Sequence, residues 1–136
     1  TVTQIIVDLP KNLPNIVVDR IMIEQVLLNL VKNGIEAMSD VPFERRQLTL
    51  QARQVDERML EVTVIDQGHG LAEEDMEKIF APFYTTKAEG MGIGLAICRS
   101  IIEFHQGRLW ATPRREGGTV FHFTVPIEEN TEDSDE

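Results

Sequence analysis

Two short segments with strict two-residue alternation limit the fold of this chain more than any other feature. Leu48, Leu50 and Ala52 alternate with polar neighbours, and Leu60, Val62 and Val64 repeat the pattern after a link around Asp56 that suits a hairpin turn. Successive strand side chains point to opposite faces, so each segment has one apolar and one polar side, and only the apolar side needs a cover. Residues 21–38 carry a helical pattern fit for that purpose: Ile23, Leu27, Leu30, Val31, Gly34, Ile35 and Met38 fall on one broad face. Further strands are predicted at 3–8, 15–19, 108–111 and 119–125, with Pro10 and Pro14 in the turn between the first two. A loop follows at Pro42 and Glu44-Arg45-Arg46. A short helix is predicted near 73–79, and another from 92 to 105 that stops at Gly107. These elements predict an α+β domain: a two-layer α/β sandwich whose mixed sheet of about five strands is covered on one face by about three helices.

The 136 residues, 42% of them hydrophobic, suit one compact domain with a true core. No apolar run is long enough to cross a bilayer, so a soluble domain is expected. A start at Thr1, without methionine or a signal-peptide pattern, reads as a segment cut from a longer protein. The single Cys98 excludes an internal disulfide and a cysteine-only metal site, and it suits a reducing cytosol. The net charge is −10, and Glu128, Glu129, Glu132, Asp133, Asp135 and Glu136 form a tail without a base. The domain is therefore assigned to residues 1–127 and a disordered, solubilising tail to 128–136. Removing those six acids from 23 leaves 17 against 13 bases, and a mildly acidic body argues against a nucleic-acid groove.

Several polar residues do not belong in a plain core. Gln25, Asn29, Asn33 and Glu36 are spaced by four, four and three, so they form one stripe on the helix at 21–38. Two asparagines in mid-helix lower helix propensity. Their carbonyl oxygens could hold Mg²⁺ and their amides could meet phosphate, or the stripe is a solvated face. Asp66 stands two residues past Val64 and so continues the inward face, where a carboxylate needs donors. A purine amine would serve, with Gly68 and Gly70 letting the backbone approach a flat ring; alternatively Asp66 caps the turn. Thr119 heads another inward face with Phe121 and Phe123, so its hydroxyl could reach the same pocket. Gly90-Met91-Gly92-Ile93-Gly94-Leu95 runs straight into a helix, whose free amides can cradle phosphate, and Lys87 just upstream adds a positive charge. The run lacks the Gly-Lys-Ser/Thr of a P-loop and does not follow a strand; flexibility alone is the plainer reading. The loop from Phe80 to Met91 is longer than compact domains usually hold without a function.

In order along the chain, these residues resemble the motifs of one family. Asn29-Leu30-Val31-Lys32-Asn33-Gly34-Ile35-Glu36-Ala37 resembles its N box, Asp66-Gln67-Gly68-His69-Gly70 its G1 box, Phe80-Ala81-Pro82-Phe83 its F box and Gly90 to Leu95 its G2 box. Gly117-Gly118-Thr119-Val120-Phe121, ending in Pro126, resembles its closing strand. The family is the histidine-kinase branch of the Bergerat-fold (GHKL) ATPases, related to gyrase, MutL and heat-shock chaperone ATPases, and the likeness covers residues 16–126. It implies ATP and Mg²⁺ as cofactors. Asn33 would coordinate Mg²⁺ with help from Asn29, Asp66 would accept from the adenine amine, and Gly68 and Gly70 would shape the adenine pocket. Residues 80–91 would be a lid, with Lys87 and the amides of Gly90, Gly92 and Gly94, up to Leu95, at the outer phosphates and Thr119 lining the pocket. Gly34 departs from the family's usual alanine, which is expected to loosen the helix slightly.

One position separates the branches. Gyrase-like relatives carry a water-activating glutamate where this chain has Asn29, and an amide cannot take a proton from water at neutral pH. The resemblance therefore implies a protein-histidine kinase that barely hydrolyses ATP alone. The phosphoacceptor histidine would lie on a separate dimerisation domain, because His69, His105 and His122 read as ordinary surface or capping residues. It further implies a cytoplasmic domain of a parent that can be membrane-anchored, monomeric alone and homodimeric when intact, passing its phosphoryl group to a response regulator. A serine kinase of the anti-sigma type and a degenerate docking module are the alternatives. Phe80, Phe83 and Tyr84 either dock the partner helix or clamp the lid to its own core.

Overall fold

The alternating segments form the middle of a sheet. The computed structural model describes residues 2–82 and 91–129. β2 (Gln47–Gln54) and β3 (Met59–Ile65) are antiparallel, with Leu50 opposite Val64 and Ala52 opposite Val62, so their apolar sides coincide. Asp56 closes the hairpin through its carboxylate, which accepts from the N–H groups of Arg58 at 2.7 Å and Met59 at 2.8 Å. β5 (Thr119–Pro126) lies on the other side of β3, placing Phe121 against Val64 and Phe123 against Val62. β4 (Leu109–Pro113) pairs with β5 at one edge, and β1 (Gln4–Asp8) runs parallel to β2 at the other, giving the order β1-β2-β3-β5-β4.

A parallel pair needs a crossover, and α1 (Arg20–Ala37) supplies it between β1 and β2. α1 packs over β2 and β3, while α2 (Met91–Phe104) packs beside it over β4 and β5. Val26, Leu30, Leu48, Val64, Cys98, Ile102, Leu109, Phe123 and Val125 fill the layer between helices and sheet with almost no exposure. The expected sandwich with helices on one face of a mixed sheet is what forms. No helix among the described residues is long and apolar enough to cross a membrane.

Asp19 starts α1 by accepting from the Met22 N–H at 3.0 Å. Its own N–H donates to Nε2 of the buried His105 at 2.9 Å, and His105 Nδ1 is 2.8 Å from the Ile101 carbonyl. Because Nε2 must accept, Nδ1 carries the proton, and the ring ties the end of α2 to the start of α1. Asp19→Ala removes the cap and should lower unfolding free energy by about 1 kcal/mol in urea titration, whereas no change would show that His105 alone holds the helix start.

Three expectations differ in detail. Residues 15–19 form no strand; a single bridge joins Ile16 to Ile127, since Pro14 on one side and the Asp19 cap on the other leave no length for a ladder. The helix expected at 73–79 splits into two 3-10 turns, Glu73–Asp75 and Lys78–Phe80, as a short helix of marginal stability yields to the burial of Met76, Ile79 and Phe80. Gly107 does follow α2, but the left-handed residue is Gln106 (φ 66°). Glycine is needed at 107 because a Cβ there would lie 1.9 Å from the Thr124 carbonyl oxygen. Residues 130–136, most of the acidic tail, lie outside the described residues; before them the Glu128 N–H donates to the Asn15 carbonyl at 2.8 Å.

Candidate functional site

β3 delivers Asp66 to the helix-facing side of the sheet, where it is only 3% exposed. Its Oδ1 accepts from the backbone N–H groups of Gly68 at 2.9 Å and Thr119 at 3.3 Å. Among the described residues Oδ2 accepts from none. The two readings of Asp66 are thus divided between its oxygens: Oδ1 caps the turn, while Oδ2, without a donor among the described residues, keeps the little exposure this side chain has. Burial raises the Asp66 pKa above the ordinary carboxylate range, opposed by the Gly68 and Thr119 N–H groups and the charge of Arg114.

The turn after Asp66 is pressed against α1. A Cβ on Gly68 would lie 2.4 Å from the Ala37 carbonyl oxygen, and Gly70 takes φ 77° beside Gly118. His69 pairs with Asp40 at 2.9 Å, a hydrogen bond that holds the Asp40 carboxyl below its usual range, and the Gln67 N–H reaches the Met38 sulfur at 3.3 Å. Gly34, the departure from the family pattern, has a packing reason. A Cβ there would meet Leu48 Cδ1 at 2.5 Å and Asp66 Cβ at 3.5 Å, so Leu48 fills the space a methyl would take.

The polar stripe of α1 leads from this turn to α2. Asn33 is half-buried and its side chain makes no hydrogen bond among the described residues. Asn29 donates through Nδ2 to the Gln25 carbonyl at 3.0 Å, and its Oδ1 lies 3.4 Å from where a Gly94 Cβ would sit. Asn29 is also within hydrogen-bonding reach of Cys98, whose thiol burial pushes up to about 11 and keeps protonated. No cluster of three His, Cys, Asp or Glu side chains fit for a metal occurs among the described residues. A hard cation here would rest on the asparagine oxygens and on oxygens brought by its ligand.

The structure thus brings together Asp66, Gly68, Gly70, Thr119, Asn29, Asn33 and Gly94. Gly92 lies in the first turn of α2, and the Leu95 side chain is buried in the core, so Leu95 can offer only its backbone. Thr119 meets Asp66 through its backbone N–H. Lys87 and Gly90, with Phe83 and Tyr84, lie outside the described residues. Phe80 is 4% exposed and edge-to-face with Phe121 at 6.1 Å, so it clamps its own core and cannot dock a partner. Sequence reasoning overlooked Arg114 and Gly118. Arg114 bonds the Gly117 carbonyl at 3.0 Å while its charge acts on Asp66, and Gly118 packs against the Asp66 carbonyl; the Gly-Gly doublet was the available signal.

This geometry agrees with the comparisons to known proteins. The family model described as "Histidine kinase-, DNA gyrase B-, and HSP90-like ATPase" matches residues 18–129. The chain belongs to that family. It is 45% identical over 115 residues to the C4-dicarboxylate transport sensor protein DctS of Rhodobacter capsulatus, covering 85% of this chain and 17% of that protein. It is 44% identical over 111 residues to the sensor protein FixL of Bradyrhizobium diazoefficiens, covering 82% and 22%. The chain therefore spans only about a fifth of these curated relatives. Among solved structures, the catalytic domain of histidine kinase ThkA superposes with a TM-score of 0.78 at 36% identity, covering 92% of this chain and 79% of that one. Full-length ShkA in complex with AMPPNP gives 0.78 at 26% identity, covering 92% and 26%.

Proposed function

We propose that this domain binds Mg·ATP and, within a longer protein, transfers the γ-phosphoryl group to a histidine on a separate dimerisation domain, as in two-component signalling. The observation that carries the reading is the Asp66 carboxylate, set in the interior with Oδ1 fixed by the Gly68 and Thr119 N–H groups and Oδ2 without a donor among the described residues. An exocyclic purine amine supplies the missing donor. From there the α1 stripe carries Asn33 and Asn29 toward the glycine-rich start of α2, where the first N–H groups of a helix have no partner within it and favour phosphate, and Lys87 with Gly90 would complete that end. Mg²⁺ bound between the asparagine oxygens and the phosphates would neutralise charge. The domain's own contribution is to hold the nucleotide in line with the incoming imidazole, whose nitrogen bonds to phosphorus as the bond to the ADP oxygen breaks. The imidazole proton goes to a base on the partner domain.

Asn29 supports transfer over hydrolysis, because its amide is engaged with the Gln25 carbonyl and has no basic lone pair for a water proton. Residues 1–127 form the nucleotide domain, with 128–136 a solubilising tail. Ile97 and Phe104, two turns apart on α2 and 52% and 73% exposed, suit contact with the partner domain. We place the domain on the cytoplasmic side of a parent that can be membrane-anchored, monomeric alone and homodimeric when intact, handing the phosphoryl group to a response regulator and binding no nucleic acid. Calorimetric titration with ATP should show Mg²⁺-dependent binding, with no release of inorganic phosphate above the buffer rate. Rapid turnover that Glu36→Gln abolished would move the protein to the hydrolysing branch. Absence of binding by the folded domain would leave a docking module.

A further inference from the structure

Arg99 lies in the middle of α2, away from the pocket residues described above, yet it gathers three elements at one point. Its guanidinium forks onto the Glu77 carboxylate, Nη1 to Oε1 and Nη2 to Oε2, the latter at 3.1 Å. Nη2 also donates to the Leu109 carbonyl of β4 at 3.1 Å. The guanidinium carbon stands 4.1 Å from the centre of the Phe80 ring, which leans edge-on against Phe121 of β5. Its side chain is 24% exposed, whereas that of Glu77 is 77% exposed. A surface ion pair of this kind adds little to stability alone, but a bidentate fork combined with a stacked ring fixes geometry. Arg99 belongs to α2 and Glu77 and Phe80 to the turns before Pro82, so the contact joins the two described segments that border residues 83–90 in sequence.

We infer that Arg99 is a positioning residue, a latch that fixes the Glu77–Phe80 turn on α2 and thereby sets affinity for the triphosphate end of the nucleotide but not for adenosine. The inference rests on the nucleotide site proposed above, in which Asp66 reads the base and the glycine-rich start of α2 meets the phosphates. Releasing the turn from α2 frees the helix whose glycine-rich start meets the phosphates, and the phosphate groups lose a fixed frame. The base end is untouched, because neither Arg99 nor Glu77 makes a hydrogen bond or ion pair with residues 66–70. Lysine cannot replace Arg99, since one ammonium cannot fork onto Glu77, donate to Leu109 and lie over Phe80 together.

The test is calorimetry of the domain with Mg·ATP and separately with adenosine, on wild type, Arg99→Gln, Arg99→Lys, Glu77→Gln and the Arg99→Gln/Glu77→Gln double variant. Each is paired with thermal unfolding and with amide exchange at Phe80 and Ala81. The expected result is ATP binding weakened about tenfold in both Arg99 variants, the size usual for coupling between neighbouring sites. Adenosine binding should stay within about twofold. The double variant should be no worse than Arg99→Gln, because Arg99→Gln already breaks the Arg99–Glu77 pair that Glu77→Gln would remove. Exchange at Phe80 and Ala81 should quicken in Arg99→Gln without nucleotide. Equal losses for ATP and adenosine, in step with thermal stability, would overturn the latch, as would unchanged ATP binding or additive single variants. If wild type binds neither ligand, the nucleotide reading falls and the affinity role with it. Unchanged exchange would then also discard the mechanical role.

Discussion

Asp66→Asn is expected to weaken ATP binding by more than about 100-fold while leaving the fold as stable as before or slightly more so. Asparagine keeps an acceptor for the Gly68 and Thr119 N–H groups that now bond Oδ1. At the Oδ2 position it places an N–H₂, so the adenine amine meets a donor where it needs an acceptor. Losing a hydrogen bond to a charged group and leaving buried donors unmatched costs about 3 kcal/mol or more, which is the stated factor in affinity. The effect on stability runs the other way. Burial raises the Asp66 pKa in the folded state, so the unfolded chain ionises first as pH rises. Native stability therefore falls between the unfolded and the folded pKa and stays lower above both; below both, the aspartate is neutral in either state and the penalty vanishes. A neutral asparagine avoids it throughout. Melting temperature followed against pH, alongside calorimetry, should show the variant equal or superior at neutral pH and the difference closing in acid. A variant that bound ATP as well as wild type, or lost binding only because it unfolded, would remove Asp66 from the base-reading role.

Gly118→Ala is expected to destabilise the fold by about 3 kcal/mol or more and to impair the pocket at the same time. Gly118 takes φ 106°, a conformation L side chains rarely adopt, and an added Cβ would lie 2.1 Å from the Asp66 carbonyl oxygen and 2.9 Å from its carbon. Backbone atoms cannot swing aside as a side-chain tip can. The displaced group belongs to Asp66 itself, whose N–H also bonds the Thr119 carbonyl at 3.0 Å. Gly117 is the matched control: its φ is similar at 105°, but its nearest neighbour is the Gly68 carbonyl oxygen at 3.8 Å. Gly117→Ala should show the conformational strain without the collision, roughly half the loss in urea unfolding. Equal losses at the two positions would mean that the collision relaxes freely.

How much was legible in advance depended on how local each feature is. The β2–β3 hairpin and α1 could be read because their periods are written in consecutive residues, and Asp66 stood out because a carboxylate continued an apolar alternation. The strand expected at 15–19 failed because pairing needs a neighbour of sufficient length, and only Ile127 was offered. The turns at 73–80 were misjudged as one helix because the pull of the core on Met76, Ile79 and Phe80 exceeded a weak local propensity. Phe80 could have faced either way on sequence alone. Its burial follows from Phe121 and Arg99, both distant in the chain.

By itself, then, the sequence determined the layers and the family, and it marked the residues of the proposed pocket: an acid at the end of an inward strand, amides on a helix, glycines before another. These follow from side-chain period and from backbone needs that only glycine meets, both short-range properties. Only the tertiary structure decided which oxygen of Asp66 stays free, why Gly34 replaces a larger residue beside Leu48, and that Arg99 joins Glu77, Phe80 and Leu109. Those depend on contacts between residues far apart in sequence, where a few tenths of an ångström in packing settle which group finds a partner.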